Sequence, residues 1–132
     1  MILVFFLAFF TACEKEENSD FTENEQNGTF ATANELIFGE TYNAKIDPIM
    51  DEDYYKVTAS SDVVITVTGE GSLCVRVHCF DQEQIEFFGD DAPDRGETLT
   101  KTVSAGEYNG YFYFRVESAY GNDTGTYTVK VE

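Results

Sequence analysis

The chain has no tryptophan, a single histidine and three cysteines in 132 residues, and it carries only 8 Lys and Arg against 25 Asp and Glu. Each scarcity closes off a class of function. A net charge of −17 excludes a polyanion such as nucleic acid as a partner and works against docking on an anionic membrane surface. Without tryptophan there is no indole to line a sugar cleft. No internal repeat and no long helical period is visible. What is present, 42% hydrophobic and 15% aromatic residues, is enough for a packed core despite 25% charged residues. The length suits one domain.

The one long apolar run is Met1 to Phe10. As a helix, Ile2 to Phe10 would reach only about 14 Å, against about 30 Å of hydrocarbon, so it cannot span a bilayer. It reads instead as the apolar core of a signal peptide covering residues 1–12. The following Phe10-Thr11-Ala12-Cys13 resembles the lipobox of bacterial lipoproteins, which implies acylation of Cys13 and an outer-membrane address with the lipid anchor as the only membrane contact. Glu14-Lys15-Glu16-Glu17 looks like the surface-export tag of Bacteroidetes-type lipoproteins, implying a domain that faces the cell exterior. Residues 14–28 are almost free of apolar side chains and read, with Cys13, as an acidic tether over 13–28.

From Thr29 to Glu132 the pattern alternates with period two, broken by Gly, Asp, Asn and Ser clusters. Strands are expected near Thr41–Ile46, Asp53–Ala59, Val63–Thr68, Leu73–Phe80, Ile85–Phe88, Thr98–Val103, Tyr111–Glu117 and Thr126–Val131. About eight strands at this spacing predict an all-β, antiparallel sandwich of jelly-roll type. Residues 30–36 have helical propensity and are expected to form a short turn across one end. The alternation assigns Tyr55, Val57, Val63, Ile65, Val67, Leu73, Val75, Val77, Phe112, Phe114, Val116, Tyr127, Val129 and Val131 to the core. Tyr54, Lys56, Arg76, His78, Tyr113 and Arg115 fall on the wet faces.

Four stretches in order carry a resemblance: Glu23 to Ala33, Asp51 to Val57, Phe112 to Ser118, and Gly125 to Val131. They resemble the bacterial pre-peptidase C-terminal domain family, whose relatives include the collagen-binding domains of bacterial collagenases. The resemblance covers nearly the whole chain after the tether and implies a non-catalytic β-sandwich module.

No enzyme is expected. His78 sits mid-strand, Cys79 projects to the opposite face, and Cys74 lies about 13 Å away along the strand. Neither cysteine can therefore pair with His78 as nucleophile and base, nor can Cys74, His78 and Cys79 surround one zinc ion, and paired carboxylates would lack a tryptophan-lined sugar cleft. The same geometry keeps Cys74 and Cys79 as free thiols, Cys79 buried and Cys74 on the outer face.

The acids offer better chemistry. Calcium takes 6 to 8 oxygen ligands. Glu23, Glu25 and Asn27 alternate, so an extended segment would present them on one side, and Asp51 and Asp53 do the same at a strand start. The collagen-binding relatives hold calcium by matching Glu-x-Glu-x-Asn and Asp-x-Asp elements, so the resemblance implies a calcium site at these five positions. Gly89 to Asp94 is a second acidic stretch, expected to be a solvated turn. Tyr111, Tyr113 and Arg115 line one outward stripe, and Tyr and Arg are enriched at binding hot spots. Collagen-binding relatives use outward tyrosines in this strand. The expected function is a surface binding or adhesion module for an extracellular protein or polysaccharide. The alternative is a structural or accessory subunit whose wet face meets a partner outer-membrane lipoprotein.

Overall fold

The computed structural model describes residues 21–132. The signal peptide, Cys13, the export tag and the first part of the tether lie outside the described residues.

Among the described residues ten strands form two mixed five-stranded sheets packed as a sandwich. The strands are β1 (Phe21–Thr22), β2 (Asn34–Glu35), β3 (Thr41–Ile46), β4 (Glu52–Thr58), β5 (Val63–Gly69), β6 (Val75–Phe80), β7 (Glu86–Asp91), β8 (Thr98–Val103), β9 (Tyr111–Ser118) and β10 (Gly125–Val131). One sheet runs β1-β3-β10-β5-β8 and the other β2-β4-β9-β6-β7. The eight long strands pair antiparallel, as expected. The two additions are two-residue strands, and both pair parallel, β1 on β3 and β2 on β4. A strand of two residues leaves almost no alternation to read.

Every predicted core residue is buried, and the core also takes in Ile46, Leu99 and Val103, while Tyr54, expected on a wet face, is buried too. Tyr55, Val57, Val63, Val67, Leu73, Val75, Val77, Phe112, Phe114, Val116, Tyr127, Val129 and Val131 are wholly buried, and Ile65 nearly so. Period-two patterning works because each sheet buries one face against the other.

Five expectations are corrected. The tether does not extend to residue 28: Phe21 and Thr22 already pair with Tyr42 and Asn43, and Glu23 and Asn27 are buried. The turn at 30–36 is a 3-10 turn at Phe30–Thr32 only, held by reciprocal Thr29–Thr32 capping, and the chain is extended again by Asn34. It lies over the outer face of the second sheet rather than across an end, since Phe30 packs on Tyr54, Phe80 and Tyr113. Cys74 is buried, because β6 begins only at Val75 and the lead-in turns Leu73 and Cys74 both inward, with the Cys74 thiol on the Ala92 carbonyl. The acidic stretch at 89–94 is exposed apart from the buried Ala92 but is only partly turn, since Gly89 to Asp91 continue β7 and the chain bends at Pro93 and Asp94.

Candidate functional site

At one end of the sandwich the segment 23–28 packs beside the start of β4. It is not extended. The Asn24 side chain accepts from the Gln26 N–H at 3.1 Å, curling the chain so that Glu23 and Asn27 meet. Glu23 is held on both carboxylate oxygens: Oε1 accepts from the Lys45 N–H at 2.6 Å, and Oε2 accepts from Asn27 Nδ2 at 3.0 Å and from the Tyr55 hydroxyl at 2.8 Å. The Asn27 carbonyl in turn accepts from the Tyr54 N–H at 2.9 Å. Glu25 stays at the surface, 3.8 Å from Lys45. Asp51 accepts from the Asp47 N–H at 3.1 Å.

Asp53 is the anomaly. It is wholly buried, its Oδ2 lies 2.6 Å from the Tyr127 hydroxyl, and its Oδ1 has no hydrogen-bond partner. Burial pushes its carboxyl up from 3.8 to about 8, opposed by the Tyr127 hydrogen bond and reinforced by the charges of Glu23, Asp51 and Glu25. The Glu25 carboxyl is also raised, by desolvation first and then by Glu23, with Lys45 acting the other way. The four acids thus feel one another.

A buried chain of oxygens links two of them. Glu23 meets Tyr55, Tyr55 meets Tyr127 at 2.6 Å, and Tyr127 meets Asp53. Three contacts need three protons, and two hydroxyls bring two. Tyr55 donates to Glu23 and Tyr127 to Asp53, which leaves the Tyr55–Tyr127 contact without a proton of its own, and a proton taken up by Asp53 would supply the third.

The structure therefore brings Glu23, Asn27 and Asp53 together inside, with Glu25 and Asp51 beside them. Among the described residues no group of three or more His, Cys, Asp or Glu side chains is already gathered to hold a metal ion. The orphaned Asp53 oxygen, in a pocket of like charge, is nonetheless what an oxygen-seeking cation would satisfy.

The wet face of the second sheet is a different environment from the one its alternation suggests. Phe30 stands edge-on to Tyr54, Phe80 and Tyr113, at centroid distances of 4.7, 5.0 and 5.2 Å. Tyr113 is half-buried beneath it. Tyr111 carries the Lys56 ammonium at 4.4 Å from its centroid. The Arg115 guanidinium lies over Phe80 and Tyr54, donates to the Tyr54 hydroxyl at 3.3 Å and sits 3.5 Å from Glu117, while its Nε is buried without a partner. Beyond β9, His78 contacts Glu86 through Nδ1 and Glu117 through Nε2, the latter at 3.0 Å, and Arg76 forks onto Asp91 at 2.6 and 3.1 Å. Arg76, His78, Glu86 and Asp91 border an open trough of about 600 Å³.

No protein-family model matches the chain, and no curated protein matches it. Among solved structures, the pre-peptidase C-terminal domain of a collagenase from Bacillus anthracis superposes with a TM-score of 0.60, covering 76% of this chain and 94% of that domain at 19% identity. The fold is a pre-peptidase C-terminal fold.

Within that fold the sequence-predicted stripe Tyr111, Tyr113 and Arg115 is on one face as expected, but filled in part by the chain's own Phe30. Sequence reading missed this cover, because Phe30 is placed by a turn and not by strand periodicity. It also missed the Tyr55–Tyr127 link, since both residues read simply as core. The ion pairs around His78 and Arg76 were signalled only by register, which sets Arg76 opposite Glu117 and Asp91. His78 faces Gly89, where a Cβ would stand 2.9 Å from the ring.

Proposed function

We propose that this protein is a non-catalytic binding module, anchored at the bacterial surface through Cys13 and stabilised by calcium at Glu23, Glu25, Asn27, Asp51 and Asp53. The observation that carries the calcium reading is Asp53: a buried carboxylate oxygen without a donor, whose carboxyl is raised further by the charges of Glu23, Asp51 and Glu25. Asp53 would offer its unpartnered Oδ1, and Glu23, Glu25, Asn27 and Asp51 would supply the other protein oxygens. A bound calcium ion would supply the positive charge that offsets their repulsion, and Asp53 would give up its proton. Magnesium suits the site less, because it demands octahedral geometry and gives up water reluctantly.

The non-catalytic part of the reading draws support from the same structure. The only histidine of the chain has both ring nitrogens against carboxylates. Cys79 is wholly buried, and burial pushes its thiol up to about 12, far from a nucleophile's range. The wet face offers aromatic and cationic side chains to an extracellular protein or polysaccharide. Among the described residues no helix is long and apolar enough to cross a membrane.

Thermal unfolding in calcium and in chelator tests the metal. Binding to the native state alone stabilises by about 2.7 kcal/mol at one hundred times Kd, which should raise Tm by several degrees. Asp51→Asn with Asp53→Asn should remove the shift while leaving the metal-free Tm equal or higher. Identical melting in millimolar calcium and in chelator would refute the site.

A further inference from the structure

The described chain enters the sandwich beside an unusual tip. Phe21 is in register with Tyr42, their ring centroids 5.1 Å apart, and the Tyr42 hydroxyl accepts from the Ile37 N–H at 3.2 Å. Ile37 opens a β-turn closed by the Glu40 N–H donating to the Ile37 carbonyl at 3.3 Å, with Gly39 at φ 83°, the left-handed third position of a type II turn. The turn is pinned to the last strand, since the Gly39 N–H donates to the Val131 carbonyl at 2.8 Å. On it Ile37 is 56% and Phe38 43% exposed. A Cβ built at Gly39 meets nothing within 4 Å, so the tip stands clear of the body.

Only the seven residues 14–20 separate Cys13 from Phe21. Fully extended they reach about 25 Å, half of what a tether running to residue 28 would allow. We propose that the Ile37–Phe38 turn is a membrane-seating tip that rests in the headgroup region of the bilayer holding the Cys13 anchor. The sandwich then stands with this end toward the lipid and the Asp51 and Asp53 end away. The inference rests on the lipidation reading above and goes beyond it, since the anchor there is the only membrane contact.

The occupant follows from where the chain comes in. The root of a short tether is in contact with the residues that support the tip, so an anchored domain cannot carry the tip far from lipid. Two side chains are too few for a protein interface, which needs about 800 Å² from each partner. They suffice to orient a molecule already tethered, because the anchor makes the second contact intramolecular. Glu35 and Glu40 flank the turn, so the contact should prefer zwitterionic headgroups to anionic ones.

The test uses the full chain as the producing cell processes it, purified and mixed with phosphatidylcholine vesicles, with an environment-sensitive fluorophore on Phe38→Cys or on Met50→Cys. Met50 is 78% exposed in the turn after β3, at the opposite end of the sandwich. Cys74 and Cys79 are buried and should stay unlabelled. The Phe38 probe should shift to the blue and be quenched by spin-labelled lipid at least three-fold more than the Met50 probe. Anionic phosphatidylglycerol should weaken that quenching and added salt restore it. Vesicle-bound protein with water-like emission from both sites would overturn the inference while leaving lipidation intact. A shielded Phe38 probe that lipid does not quench would overturn it in favour of a second copy or a protein partner. Chain that fails to float with vesicles would overturn the lipidation reading, and this inference with it.

Discussion

Asp53 shows how one residue can set a protein's pH response. Folding raises its pKa from the ordinary carboxylate range to about 8, so the folded state holds this proton more tightly than the unfolded chain does. The stability it contributes is complete below about pH 4 and is lost as pH rises through about 8. Glu25, also raised, acts in the same direction. Asp91 is lowered by its hydrogen bonds to Arg76, so its contribution disappears only as pH falls below the normal carboxylate range. In chelator, Tm should therefore fall by several degrees between pH 5 and pH 8.5. Asp53→Asn should flatten the decline, because an amide donates to Tyr127 at every pH. Calorimetry across that range checks both, and an unchanged slope in the variant would show that Asp53 titrates normally. The thiols follow from burial as well: at pH 8 neither Cys74 nor Cys79 should react with a disulfide reagent until the protein is unfolded, since burial raises both.

At the scale of elements, the 3-10 turn and the strand ends do more than connect. Phe30 covers Tyr54, Phe80 and Tyr113 from a three-residue turn. Edge-to-face pairs contribute about 0.5–1.5 kcal/mol each beyond burial. Phe30→Ala should accordingly cost about 2 kcal/mol and lower Tm by several degrees, measured by chemical and thermal unfolding. The same variant opens Tyr113 to solvent, so a change in tyrosine fluorescence should accompany it. Gly69, the last residue of β5, is needed for space: a Cβ there would stand 2.4 Å from the Leu73 carbonyl oxygen, a backbone atom that cannot step aside cheaply. Gly69→Ala should destabilise by about 1–3 kcal/mol. A variant as stable as the parent would mean that the 70–73 turn shifts freely.

For the whole molecule, address and architecture meet at the N-terminus. If Cys13 accepts the acyl group, Cys13→Ser should yield uncleaved or soluble protein, because serine has no thiolate to offer. Normal membrane fractionation of that variant would rule lipidation out. If Lys15, Glu16 and Glu17 direct export, protease added to whole cells should digest the domain, and alanine at all three should protect it. Protection of the unaltered protein would instead place it in the periplasm. The high negative charge is compatible with either side, since it bears on solubility and partner sign rather than on fold.

Period-two alternation and composition were enough for the sandwich, its long strands and most of its core, because strands such as β3, β5 and β9 bury one side chain in two, as at Val63, Ile65 and Val67. The acids at 23, 25, 27, 51 and 53 were visible as oxygen donors for the same local reason, their spacing. Local pattern does not carry contacts made across the fold. That Glu23 and Asn27 lie inside, that Tyr55 and Tyr127 join Glu23 to Asp53, that Phe30 covers Tyr113 and that Cys74 is buried were decided only when both sheets closed. Each depends on residues tens of positions apart, such as Tyr127 and Asp53 at a separation of 74. The shortened tether has the same origin: residues 21–28 are polar enough to read as linker, yet their carboxylates and amides find partners on β3 and β4 that no stretch of eight residues could reveal.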